Sequence, residues 1–105
     1  MTRTETLVQA MLDEALLSLD ELCRAAAVEP EWVAQRVDEG LLPPPVAGGA
    51  VSAVWRFDAP ALRRVRCMVR IERDFEAPAE LAALVADLQD EIERLRLRLR
   101  RGGLD

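Results

Sequence analysis

Residues 18–40, SLDELCRAAAVEPEWVAQRVDEG, predict two short helices joined by a tight turn. Ser18 and Glu21 have the spacing of a capping box, in which each side chain binds the other residue's backbone N–H. Pro30 falls in the first turn of the second helix, where its missing N–H costs nothing. Gly40 provides the left-handed residue that ends this helix. The stretch therefore predicts a helix-turn-helix unit.

The second helix of such a unit normally enters a DNA groove, yet here it is mostly acidic. When Val33 and Val37 face the core, the outward face carries carboxylates and one glutamine. DNA binding gains most of its affinity by neutralising phosphates, which this face would repel. A basic protein surface suits it better, and Trp32 at its edge could anchor such a partner. The predicted partner-binding residues are Glu31, Trp32, Gln35, Asp38 and Glu39.

After Gly40 the sequence predicts a loop and one strand of the size of a wing. Residues 51–57, VSAVWRF, have the alternation of a strand that places Val51, Ala53, Trp55 and Phe57 on one side. Asp58 and Pro60 then mark the start of a capped helix that we expect to reach about Asp74. Residues 75–78, FEAP, end it.

The last helix, residues 79–101, has the most regular apolar spacing in the chain and is followed by Gly102 and Gly103. A heptad seam with spacings of four and three predicts self-association. A parallel dimer would pair Glu91 with Arg96 of the second copy; antiparallel packing, or docking onto another protein's helix, stays open. The predicted dimerisation residues are Leu81, Val85, Leu88, Ile92, Leu95 and Leu99.

The composition excludes several functions. The chain has 105 residues, a net charge of −5, no histidine, and two cysteines, Cys23 and Cys67, far apart in sequence. With no Gly-rich phosphate loop and no nucleophile beside a base, we expect neither an enzyme nor a metal or other cofactor. Without an apolar run of spanning length or a signal peptide, the expected location is the cytoplasm.

A rival interpretation uses the arginines. Arg63, Arg66, Arg70 and Arg73 recur at spacings of three and four and share a helix face. Together with Arg56 on the wing, they would be the DNA-contacting surface of a transcriptional regulator. A third interpretation is a module that only oligomerises.

The order of these elements resembles the CbpM family, bacterial chaperone-modulator proteins related in fold to MerR-type winged helices. The resemblance is carried by SLDELCRAAAVEPEWVAQRVDEGLLPP, then WRFDAPALRRVRCMVRIERDF, then LVADLQDEIERLRLRLR. It implies binding to the J-domain of a DnaJ-like co-chaperone, CbpA, and inhibition of its work with DnaK. The acidic second helix would then mimic the docking surface that DnaK offers to a basic J-domain helix.

The predicted fold class is mainly α, a MerR-like winged helix-turn-helix with a long C-terminal coiled-coil helix. The predicted organisation is an N-terminal extension over residues 1–17, the winged domain over 18–75 and a dimerisation helix over 79–101. The predicted function is that of a J-domain-binding chaperone modulator, and the alternative is a MerR-type DNA-binding regulator.

Overall fold

The computed structural model describes residues 16–102, so most of the predicted N-terminal extension lies outside the described residues. The elements in chain order are strand β1 Leu17–Ser18, helix α1 Leu19–Ala26, helix α2 Pro30–Asp38, a 3-10 turn Ser52–Val54, strand β2 Arg56–Phe57, helix α3 Ala59–Phe75 and helix α4 Ala79–Arg101. This is the mainly helical fold with a long last helix that the sequence predicts.

The predicted ends of the helix-turn-helix are confirmed. The Ser18 hydroxyl accepts the Glu21 backbone N–H at 3.1 Å, and the Ser18 N–H donates to the Glu21 carboxylate at 2.9 Å. Pro30 is the first residue of α2, and Gly40 follows this helix with a φ of 75°. Helix α1 ends without a glycine, because Ala27 itself adopts a left-handed φ of 57°.

The predicted strand over residues 51–57 is wrong for its first five residues. Only Arg56 and Phe57 form a strand, pairing antiparallel with β1 in the register Leu17 to Phe57. Residues 52–54 form the 3-10 turn, and Val51 and Ala53 are exposed rather than facing the core.

The close approach of the wing backbone to Trp55 explains this difference. A Cβ on Gly48 would lie 2.7 Å from the carbonyl oxygen of Val54, so only glycine fits there. The Trp55 indole N–H donates to the carbonyl of Gly49 at 2.8 Å, which holds the loop against the ring. Trp55 is buried and packs edge-to-face on Phe57, with 6.0 Å between ring centroids.

The core lies where α1, α2, α3 and the sheet meet, and the first half of α4 covers it. The largest fully buried side chains are Phe57, Leu22, Met68, Val33 and Val65. Helix α4 contributes the small side chains Ala82, Ala83 and Ala86, which allow its backbone to approach closely. From Asp87 to Gly102 every residue of α4 and its cap is exposed. Within residues 16–102, no helix has the length and apolar character needed to span a bilayer.

Candidate functional site

Helix α2 is fixed to the core by one side and presents the opposite side to solvent. Val33 is fully buried and Val37 is half-buried, less than the full burial predicted for it. Because residues at spacings of three and four share a helix face, Glu31, Gln35 and Asp38 lie together on the far side, and all three are exposed. Among the described residues, none of these three side chains forms an ion pair or side-chain hydrogen bond. We call them the outer acidic face.

The other two predicted partner-binding residues, Trp32 and Glu39, lie on a different stripe of α2, which faces α3. The half-buried Trp32 ring packs against the core, and its indole N–H donates to Glu72 at 3.4 Å. Glu39 accepts a hydrogen bond from Arg36 at 3.0 Å. The structure therefore divides the predicted site in two, with three residues open to a partner and two engaged within the protein.

Arg36 joins these engaged residues and was not among the predicted site residues. Its second guanidinium nitrogen donates to Glu72 at 3.3 Å, and its guanidinium carbon lies 4.9 Å from the centroid of the Trp32 ring. The contacts with Trp32 and Glu39 could have been read from their helical spacing. Glu72 stands 36 residues after Arg36, and no local pattern indicates its approach. We call Trp32, Arg36, Glu39 and Glu72 the Arg36 cluster.

Three carboxylates near the start of α2 act on the Cys23 thiol of α1. Burial raises the pKa of this thiol, and the carboxylates of Asp20, Glu29 and Glu31 raise it further. A raised thiol pKa is the effect expected where negative charges disfavour a thiolate. Glu31 of the outer acidic face therefore has two further carboxylates, Asp20 and Glu29, in its neighbourhood.

Two of the four arginines of the predicted DNA-contacting stripe donate hydrogen bonds to the protein's own backbone. Arg66 donates to the carbonyl of Ala25 at 3.3 and 3.4 Å, and Arg73 donates to that of Ala27 at 2.8 Å. These carbonyls end α1, where cations are favourable. Arg56 of the wing likewise donates to the carbonyl of Trp55 at 2.8 Å.

The remaining arginines of this stripe, Arg63 and Arg70, are exposed and line a groove between α3 and α4. The opposite wall of this groove carries Asp90 and Glu93 of α4. Residues 40–55, which precede Arg56 in the wing, contain no charged side chain. Acidic side chains thus lie across the groove from part of the arginine stripe, and Arg56 is the single cation that the wing offers to a phosphate.

The predicted heptad seam is left open by the core. Its members Leu81, Leu88, Ile92, Leu95 and Leu99 are exposed, and Val85 is half-buried. The opposite side of α4 packs on the core through its alanines. Charge is also divided along the helix. Residues 79–93 carry five acidic and no basic side chains, and residues 94–101 carry five arginines and no acidic ones.

Comparison with known proteins agrees with this architecture. Residues 17–101 match the family described as MerR HTH family regulatory protein. The chaperone modulatory protein CbpM of Coxiella burnetii is 33% identical over 84 residues, which cover 80% of this chain and 76% of that protein. CbpM of Pseudomonas entomophila is 30% identical over 80 residues, or 76% of each chain. No solved structure matches the chain with comparable significance. The chain therefore belongs to the CbpM family, within the MerR-type helix-turn-helix proteins.

Proposed function

We propose that this protein is a non-enzymatic chaperone modulator that binds the J-domain of a DnaJ- or CbpA-like co-chaperone and inhibits its action with DnaK. The observation that carries the proposal is the outer acidic face, Glu31, Gln35 and Asp38, which is exposed on the second helix of a helix-turn-helix and forms no ion pair within residues 16–102. The relatives' description as chaperone modulatory proteins supports the general role.

The physical basis of the proposed inhibition is competition for a basic helix. J-domains present such a helix to DnaK, and an acidic helix of matching size would occupy the same surface. Opposite charges steer the two proteins together and speed their encounter. The same negative surface rejects nucleic acid, so it also provides specificity. DNA binding is the less supported function, because Arg56, Arg66 and Arg73 are held by backbone carbonyls.

Charge reversal on the outer acidic face tests the proposal. In the Glu31→Arg/Asp38→Arg variant, like charges would face the J-domain, and we expect affinity to fall about a hundredfold. Calorimetric titration with the purified J-domain of the co-chaperone from the same genome measures this. Asp90→Arg/Glu93→Arg makes the same change in net charge on α4 and should bind nearly as wild type. Equal affinity of both variants, with circular dichroism unchanged, would exclude the outer acidic face as the binding site.

We also propose that two copies associate through the heptad seam, and that they do so in parallel. In a parallel pair in register, Glu91 of each copy lies across the seam from Arg96 of the other, so this attraction is made twice. In an antiparallel pair in register, the arginines of residues 94–101 would lie opposite residues 79–86, which carry a single acidic side chain, Glu80. The other four acidic side chains of α4 would then face one another near the centre, and this repulsion disfavours the antiparallel arrangement.

A further inference from the structure

Arg36 makes all of its described side-chain contacts within its own protein. Its two terminal nitrogens donate to Glu39 at 3.0 Å and to Glu72 at 3.3 Å, and its guanidinium lies over the Trp32 ring. Only 12% of the side chain is exposed. The positive charge is therefore hidden from an approaching molecule, while its effect on the two carboxylates is retained.

Glu39 follows Asp38 at the border of the outer acidic face, and Arg36 holds its carboxylate in an ion pair. It is 36% exposed, so a partner can reach it, but its carboxylate already has a cationic partner. Glu31 and Asp38 have no such partner among the described residues. A cationic partner therefore meets two free carboxylates, and it must break or share an existing ion pair to engage the third.

Arg36 cannot turn toward solvent to release Glu39 without a cost at Glu72. The Glu72 side chain is 19% exposed, and its second oxygen is buried without a hydrogen-bond partner. Withdrawing the guanidinium would leave this carboxylate with the 3.4 Å contact from the Trp32 indole as its remaining side-chain hydrogen bond. Breaking one partner out of a largely buried ion pair is strongly unfavourable, so Arg36 stays in place when a partner binds.

We propose that Arg36 is a specificity-determining residue beside the outer acidic face. By pairing with Glu39, Arg36 keeps this carboxylate from binding the partner and so limits the attraction for cationic helices. The inference rests on the proposed function, because it concerns the strength of the same interaction. The inference implies that the outer acidic face and Glu39 together attract cations less strongly than they would if Glu39 were unpaired. A surface with three free carboxylates would attract basic helices less selectively.

A double-mutant cycle between Arg36 and Glu39 tests the proposal with the purified J-domain. Glu39→Gln should leave wild-type affinity within about twofold, since Glu39 is engaged. Arg36→Met should bind about threefold more tightly, with a steeper loss of affinity as salt rises, because Glu39 becomes free. Arg36→Met/Glu39→Gln should return to near the wild-type affinity. A merely structural role for Arg36 would weaken binding and leave the salt dependence unchanged.

Two further variants control the cycle. Arg70→Met removes the same charge from α3 on the side that lines the groove with α4, and should leave affinity nearly unchanged. Asp38→Asn should weaken binding about threefold, since Asp38 is unpaired. If Glu39→Gln weakens binding as much as Asp38→Asn, Glu39 is not withdrawn and the inference is overturned, even if Arg36→Met fails to fold. Failure of wild type to bind any J-domain would instead remove the proposed function, and this inference with it.

Discussion

Ser18 belongs to two elements at once, and this joins the sheet to the helix-turn-helix. Its backbone pairs with Arg56 in the sheet, while its hydroxyl and N–H form the capping box with Glu21. The hydrogen bond donated by the Ser18 backbone is the main cause that lowers the pKa of Glu21, and the Ser18 hydroxyl lowers it further. The capping box is therefore a pH-dependent contact.

We expect the contribution of Glu21 to stability to be lost in acid. A carboxyl whose folded pKa lies below its ordinary value of 4.5 stabilises the fold at pH values above that value. The contribution then decreases as the pH falls through the lower, folded pKa. The difference in unfolding free energy between wild type and Glu21→Gln, from urea titrations, should therefore be smaller at low pH than at neutral pH. A difference that grows in acid would contradict this assignment.

At the scale of elements, one side of helix α4 packs on the core and the opposite side carries the heptad seam. Ala82, Ala83 and Ala86 face the core, and the leucine seam faces outward. Leu97 is also exposed, yet it lies on the core-facing side of the helix, where it lines the groove with α3. The helix thus carries two kinds of exposed leucine, which allow the proposed dimer to be tested by comparison.

We expect Leu88→Asp to abolish self-association and Leu97→Asp to preserve it. Loss of a buried leucine costs about 2 kcal/mol or more at a packed interface, and a buried aspartate costs further. In the isolated chain both leucines are exposed, so the thermal stability of a dilute sample should change little for either variant. Sedimentation velocity over a range of concentrations measures the association. Matching behaviour of the two variants would argue against the seam as the dimer interface.

The elements that could be predicted from the sequence depend on local signals. Ser18, Pro30, Gly40 and Asp58 each act within about one helical turn, and each of them marks a helix end in the structure. The wing depends instead on the close approach of Gly48 to Trp55. The alternation of apolar residues does not indicate this contact, and the predicted strand is therefore wrong over residues 51–55.

The same distinction applies to the candidate site. The exposure of Glu31, Gln35 and Asp38 follows from helical periodicity once Val33 is inward. The engagement of Trp32 depends on Glu72, forty residues later in the chain, and so required the structure.

At the scale of the whole molecule, negative charge lies on α2 and on residues 79–93 of α4, and five arginines lie at the far end of α4, where Arg94 and Arg100 pair with Glu91 and Glu93. In the proposed parallel dimer, the two arginine-rich ends lie side by side. The length of α4, 23 residues, makes the two orientations easy to separate. At a rise of about 1.5 Å per residue, the helix is about 34 Å long.

Spin labels at the end of α4 should report a short distance between the two copies. In a Cys67→Ser/Arg101→Cys variant, the labels would lie about 10–15 Å apart in a parallel dimer and about 30 Å apart in an antiparallel one. Cys23 is buried and its pKa is raised, so it should resist labelling. Electron paramagnetic resonance measures the separation, and a long distance would overturn the parallel arrangement.

The placement of core and seam on opposite sides of α4 has a consequence for how concentration would act on this protein. Because the alanine side of α4 completes the core of the described residues, a subunit released from the proposed dimer would keep its structure and its outer acidic face. Dilution would then change how many of the proposed J-domain sites one particle carries, and would leave the affinity of each site unchanged. Any stronger retention of a partner that carries two J-domains would be avidity, which is lost when the subunits separate.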